Sequence, residues 1–108
     1  MPSNQSLLKR MKEIVSTYEQ YLSHLDTNDL EVNEDSSTAM QNIRVIYVSR
    51  VFRAFMKLSE KEKQILNNEY FERKKFGWWA DLYSKEEFEK LHIQSIRNFI
   101  RRFDNNET

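Results

Sequence analysis

A single glycine and a single proline in 108 residues are the strongest constraint on how this chain can fold. Sheet-rich and irregular domains need many tight turns, and tight turns draw on glycine and proline for backbone angles that other residues avoid. The apolar residues recur mostly at spacings of three and four, which is the repeat of an amphipathic helix. The sequence therefore predicts an all-α protein.

We predict five helices from apolar stripes and from capping signals. Ser59 with Glu62, and Ser84 with Glu87, have the spacing of a capping box, in which a serine and a glutamate satisfy backbone N–H groups at a helix start. The predicted helices cover residues 6–25, 37–57, 60–71, 78–82 and 85–103. An alternative places a turn at residues 92–95, which would divide the last helix and leave 95–103 as its shorter second part.

Residues 1–57 are predicted to form a helical hairpin that serves association. Apolar residues of the first helix alternate spacings of four and three, the seam pattern of a coiled coil. The second helix is apolar around most of its circumference, which is typical of a buried helix. Because one small unit cannot cover that much apolar surface, we predict a homodimer or a hetero-partner. The predicted interface residues are Leu7, Met11, Ile14, Tyr18, Ile46, Phe52 and Met56.

Residues 58–108 have the element order of a helix-turn-helix unit. A helix, a basic loop, a short helix with Trp78 and Trp79, a tight turn and a long helix follow one another. We predict that one of the two tryptophans is buried against the apolar stripe of the long helix. The predicted buried residues of that stripe are Phe88, Leu91, Ile96 and Phe99.

The opposite face of the last predicted helix is rich in hydrogen-bond donors. Arginine pairs with guanine edges and glutamine with adenine edges, whereas cations in loops commonly contact phosphates. The residues predicted to enter the major groove of DNA are Lys85, Lys90, Gln94 and Arg97. The residues predicted to contact phosphates are Arg101, Arg73, Lys74 and Lys75. An ordinary solvated loop is an equal alternative for residues 73–75.

One set of residues between positions 58 and 103 forms a family-like pattern of apolar anchors and helix caps: Leu58, Glu62, Tyr70, Phe71, Trp78, Trp79, Ser84, Phe88, Leu91, Ile96 and Phe99. In these residues the segment 58–103 resembles the C-terminal half of ArpU-type transcriptional regulators of Firmicutes and their phages, which are themselves similar to region 4 of sigma-70 factors. The resemblance extends to small proteins of low-GC bacteria such as mycoplasmas. It implies transcription regulation through a helix-turn-helix that binds DNA, RNA polymerase or both.

The charge balance favours a second interpretation. The chain has 17 basic and 17 acidic residues and a net charge of zero, whereas DNA-binding domains usually carry excess positive charge. Glu86, Glu87 and Glu89 also crowd the start of the last helix, where they would repel phosphates. The alternative is therefore a non-enzymatic protein-interaction module with a degenerate helix-turn-helix that does not bind DNA.

Enzymatic chemistry is not indicated by any motif. The chain has no cysteine, and neither a glycine-rich phosphate loop nor a nucleophile elbow occurs. His24 and His92 lie far apart without companion ligands, and we interpret His92 as a hydrogen-bonded core histidine. We predict no catalysis, no cofactor and no metal. We also expect a cytoplasmic protein without membrane contact, because neither a signal peptide nor an apolar run of about 20 residues is present.

Overall fold

Helices account for all regular structure in the computed structural model, which describes residues 3–28 and 35–105. They are α1 (Asn4–Asn28), α2 (Asp35–Met56), α3 (Glu60–Leu66) and α4 (Lys85–Asn105), with a π-helical segment, Asn67–Phe71, continuing α3. No strand occurs within these described ranges. The prediction of an all-α fold is therefore confirmed for them.

The helix starts that were predicted from capping boxes are confirmed. At the start of α3, the Glu62 N–H donates to Ser59 Oγ at 3.2 Å, and Glu62 Oε1 accepts from the Ser59 N–H at 3.1 Å. The Ser84–Glu87 pair makes the same two bonds at the start of α4. From there α4 continues without a break through residues 92–95. The alternative with a turn at that point is therefore wrong.

The predicted short helix at residues 78–82 is wrong, because residues 76–82 form a series of turns. Trp78, Ala80 and Leu82 each donate their N–H to the carbonyl three residues earlier, at 3.1, 3.0 and 2.9 Å. Gly77 has a φ of 83°, which interrupts helical geometry at the start of the segment. About five residues also give too few helical hydrogen bonds to offset the cost of nucleation. The helix predicted as the second of the helix-turn-helix is therefore absent at residues 78–82, and the helix-turn-helix arrangement is not confirmed.

One hydrophobic core joins the two predicted units, 1–57 and 58–108. α1 packs against α2 and α4, α2 packs against α4, and α3 packs against α4. Phe103 of α4 belongs to this core. Its ring lies 4.4 Å from the Arg50 guanidinium, and Arg50 Nε donates to the Phe103 carbonyl at 2.8 Å. The fully buried side chains include Met11, Val51, Ile65, Leu66, Ile96 and Phe99.

The apolar stripe of α4 is buried largely as predicted. Phe88, Ile96 and Phe99 are buried, whereas Leu91 is half-buried. The expectation of one buried tryptophan is wrong, since both indoles are half-buried. The reason is that both cover the ring of Phe88: Trp79 stacks on it at a centroid distance of 4.5 Å, and Trp78 meets it edge-on at 5.9 Å.

Candidate interaction surfaces

The predicted DNA-reading side chains of α4 form an exposed stripe. We call Lys90, Gln94, Arg97 and Arg101 the basic stripe, and all four are exposed. Lys85, the first residue of α4, is exposed as well. Among residues 3–25 and 40–105, whose side chains the structure describes, no acidic side chain forms an ion pair with a cation of the stripe. The stripe is therefore accessible to an anionic partner.

Gln94 has a structural contact that the sequence analysis missed. Its Nε2 donates to Glu62 Oε2 at 3.1 Å, and Asn98 Nδ2 donates to the same oxygen at 2.7 Å. The Glu62 side chain thus joins the start of α3 to the middle of α4. The sequence shows that Gln94 and Asn98 lie four residues apart and therefore on one side of α4. Their shared acceptor, Glu62, lies 32 and 36 residues earlier in the chain, beyond the reach of a local sequence pattern.

The Glu62 carboxyl is held in its ionised form. Only 6% of the residue is exposed, and burial by itself acts to raise the pKa of this group. The hydrogen bonds from Gln94, Ser59 and Asn98 together outweigh burial, so that the pKa of Glu62 lies below its ordinary value. A charged acceptor of this kind makes stronger hydrogen bonds than a neutral one.

The basic loop that was predicted to contact phosphates is partly neutralised by its neighbours. Arg73 has a positive φ of 52° and donates through Nη2 to Glu19 of α1 at 2.7 Å. Lys74 Nζ lies 3.6 Å from the Glu72 carboxylate. Lys75 is exposed and takes part in none of the ion pairs among the described side chains. The predicted phosphate contacts of the loop remain a prediction.

A row of four aromatic rings holds the turn segment against α4. Trp79 stacks on Phe88, Phe88 on His92 and His92 against Tyr70, with centroid distances of 4.5, 5.4 and 5.6 Å. His92 Nε2 and Tyr70 Oη share a hydrogen bond of 2.8 Å. His92 is therefore a hydrogen-bonded, half-buried histidine, in agreement with its interpretation from the sequence.

The burial of His92 is expected to make the protein less stable in acid. Burial lowers the pKa of His92 below its ordinary value of 6.5, and the nearby Glu69 opposes that shift only in part. The unfolded chain then binds more protons than the folded one as the pH falls below 6.5, so the free energy of unfolding is expected to decrease there. Urea unfolding of the wild type and of His92→Gln between pH 7.5 and 5 would measure this. An equal decrease in both proteins would exclude His92 as the cause.

The predicted partner interface divides into buried and exposed residues. Leu7, Met11 and Ile14 are 5%, 0% and 3% exposed. In the single chain α2 and α4 cover this face of α1, so these three side chains are not on the surface that a partner would meet. Tyr18 is half-buried, and its ring meets Phe71 edge-on at 5.5 Å. The remaining predicted interface residues are all exposed: Ile46, Phe52 and Met56.

An exposed, mostly apolar row of residues winds around the surface of α2. We call Ile43, Ile46, Ser49 and Phe52 the α2 ridge, since they recur every third residue and such residues form a continuous row on a helix surface. Ile43, Ile46 and Phe52 are 53%, 61% and 59% exposed, and Ser49 is half-buried. Val45 and Met56 are exposed beside the ridge. The helix therefore presents large apolar side chains to solvent along most of its length.

A groove of about 360 Å³ adjoins the C-terminal end of the α2 ridge. Phe52 and Met56 form part of its wall, and Glu19 and Glu72 contribute acidic groups. The remaining apolar lining comes from Tyr18 and Leu22 of α1, from Val51 and Phe55 of α2, and from Phe71. The ridge and the groove together form one mostly apolar surface.

The described part of the chain offers no arrangement for metal chemistry. Within it, no three His, Cys, Asp or Glu residues are grouped so that they could hold a metal ion. None of the described helices combines the length and the apolar character that crossing a bilayer requires.

Comparisons with protein-family models, with curated proteins and with solved structures returned no match for this chain.

Proposed function

We propose that this protein is a non-enzymatic protein-interaction module, and that its interaction surface is the α2 ridge with the adjoining groove. The observation that carries the proposal is the concentration of exposed apolar side chains on one helix. Nine large apolar side chains are exposed in the described residues, and α2 holds six of them: Met40, Ile43, Val45, Ile46, Phe52 and Met56. Contiguous apolar surface of this kind marks sites of protein–protein contact.

The energetics of α2 support a bound partner. Complete burial of an isoleucine, phenylalanine or methionine side chain stabilises by about 1.5–3 kcal/mol relative to its exposure to water. Ile46 and Phe52 leave more than half of their surface exposed in the single chain. A partner that covers both would gain most of that free energy. Aromatic anchors beside a groove are also where binding energy usually concentrates.

A second candidate function is transcription regulation through contact with DNA. The observation that favours it is the basic stripe, whose cations are exposed and form no ion pairs among the described side chains. The resemblance to ArpU-type regulators and to sigma region 4 implies the same function and adds RNA polymerase as a partner. The turns at residues 76–82, the engaged Gln94 and the net charge of zero favour the interaction module instead.

One capture experiment separates these two functions. The immobilised wild type, Phe52→Glu and the double variant Arg97→Glu/Arg101→Glu are each exposed to lysate of the source cells, with and without nuclease. We expect Phe52→Glu to lose a captured protein that the wild type and the double variant both retain after nuclease treatment. With the purified partner, we expect the dissociation constant of Phe52→Glu to be at least about 30-fold larger than that of the wild type, as is usual when an aromatic anchor is lost.

Two control variants test whether a loss of capture depends on the position of the substitution or only on its type. Phe76→Glu makes the same replacement at a side chain that is 93% exposed in a loop, and Lys9→Glu/Lys12→Glu reverses two exposed cations of α1. Neither control is expected to change capture.

If nuclease abolishes capture and only the Arg97→Glu/Arg101→Glu variant fails to bind DNA over a salt series, the nucleic-acid function replaces the proposed one.

A further inference from the structure

We infer that the exposed apolar side of α2 and the adjoining groove bind an acidic amphipathic helix of another protein, whose carboxylates lie beside Arg53 and Lys57. The inference rests on the proposed function, because it names the chemistry of the partner that the same surface binds. Three observations carry it: the length of the apolar surface along α2, the distribution of charge on that helix, and the ion pairs of the acidic groups beside the groove.

The exposed apolar surface of α2 has the length of a short partner helix. Val45, Phe52 and Met56 are 44%, 59% and 49% exposed, and their spacings of seven and four keep them on one side of α2. From Val45 to Met56 the helix rises by about 16 Å, which is three turns. Phe52 and Met56 also form part of the wall of the groove. A partner helix of about three turns covers these side chains and reaches the groove.

The backbone of α2 offers a partner no hydrogen bonds along this surface. The helix is continuous over Asp35–Met56, and the N–H and carbonyl groups inside a helix bond to one another. No strand with a free edge occurs in residues 3–28 and 35–105 either. A bound segment must therefore satisfy its own backbone groups when the contact removes them from water. A helix does so, whereas an extended segment needs a strand to pair with.

The charges of α2 beyond its first residue are all of one sign. Residues 36–58 contain arginines and a lysine but no acidic residue, although the whole chain has 17 basic and 17 acidic residues. Arg50 is half-buried, whereas Arg53 and Lys57 are exposed. Among the side chains that the structure places, neither of these two cations forms an ion pair. Arg53 lies three residues before Met56 and is therefore its neighbour on the helix surface. Two available cations thus border the apolar surface.

The acidic groups beside the groove are already paired within the chain. Glu19 accepts a hydrogen bond from Arg73 at 2.7 Å, and Glu72 lies 3.6 Å from Lys74 Nζ. They therefore require no cation from a partner. Opposite charges across an interface guide association and select the correct partner. The cations at the edge of α2 consequently select a helix that carries carboxylates along the corresponding flank.

The shape of the surface favours a protein over an anionic bilayer. Apolar side chains with flanking cations also suit the surface of a membrane. The groove, however, is a concavity of about 360 Å³ whose lining includes the aromatic rings of Tyr18, Phe52, Phe55 and Phe71. A helix presents single apolar anchors that fit a groove of this kind.

Selection from a random library of amphipathic helical peptides tests the chemistry of the partner directly. The immobilised full-length proteins are the wild type, Phe52→Glu, Arg53→Glu/Lys57→Glu and, as a control, Lys9→Glu/Lys12→Glu. We expect the wild type and the control to select peptides that combine apolar residues at spacings of three and four with an excess of Asp and Glu. Phe52→Glu should not bind these peptides, and Arg53→Glu/Lys57→Glu should select peptides without that excess. Equal acid content for the wild type and the reversed variant would overturn the inference.

The salt dependence of binding separates a charge effect from a structural one. For a peptide selected by the wild type, we expect Arg53→Glu/Lys57→Glu to bind at least about 10-fold more weakly at low salt, with an unchanged circular dichroism spectrum. The difference should fall below about 3-fold in about 0.5 M salt, because exposed charges are then screened. A 10-fold loss that persists in high salt would contradict the role of the two cations.

Two further results would overturn the acidic helix and leave other conclusions in its place. If the wild type selects no peptide but binds phosphatidylserine vesicles, and Arg53→Glu/Lys57→Glu does not, the partner is an anionic membrane. If Phe52→Glu abolishes capture of a protein from lysate and Arg53→Glu/Lys57→Glu leaves it unchanged, the proposed function stands without an acidic partner. If neither variant changes capture or peptide binding, both the inference and the proposed function are wrong.

Discussion

Phe99→Ala is expected to lower the free energy of unfolding by about 3–5 kcal/mol, because it leaves a cavity in the middle of the core. Phe99 is 0% exposed, and its ring stacks on Phe103 at a centroid distance of 6.1 Å. Small domains have only about 5–15 kcal/mol of stability in total, so this loss would bring the protein close to unfolding at room temperature. Urea unfolding followed by circular dichroism measures it.

Phe76→Ala is the matched control for this prediction. It makes the same chemical change at a phenylalanine that is 93% exposed, so the change in the free energy of unfolding should stay within about 0.5 kcal/mol. A loss for Phe99→Ala that is no larger than the loss for Phe76→Ala would show that the face of α4 described as buried is not part of the core.

The second large effect is expected at Glu62, where Glu62→Ala should cost about 2–3 kcal/mol of stability. The substitution removes the acceptor of Gln94 and Asn98 and one half of the capping box of α3. Because the pKa of Glu62 is lowered in the folded protein, its contribution is present above pH 4.5 and is lost as the pH falls through the folded pKa. The difference between wild type and variant should therefore shrink in acid.

Glu87→Ala serves as the control for Glu62. Glu87 forms the same kind of capping box with Ser84, but it is exposed, and among the described side chains it makes no hydrogen bond to another helix. Its replacement should therefore destabilise the protein less. Equal losses at the two positions, measured by urea unfolding at pH 7, would mean that the bonds from Gln94 and Asn98 contribute nothing to stability.

The features that were predictable from sequence are local ones. The capping boxes at Ser59 and Ser84 depend on groups three residues apart, and the continuity of α4 depends on a helical pattern that no glycine or proline interrupts. The burial of Phe88, Ile96 and Phe99 follows from the same period. The exposure of the basic stripe was predictable too, because a helix that buries one face presents the other to solvent.

The backbone conformation of the turn segment at residues 76–82 was determined by contacts with residues outside the segment. Its composition allows a short helix, and the pattern alone predicted one. Trp78 instead donates its indole N–H to Glu69 at 2.8 Å, and both indoles lie against Phe88. A segment of this length has little helical stability of its own, so the contacts of its side chains determine its backbone.

Sequence by itself determined which residues of α1 and α2 are apolar and which side of each helix they share. Only the tertiary structure decided what covers those sides. The apolar face of α1, with Leu7, Met11 and Ile14, is buried by other helices of the same chain, whereas Ile46 and Phe52 of α2 face solvent. The physical reason is that the hydrophobic effect is non-directional: periodicity shows that a face requires burial but does not specify the partner that buries it.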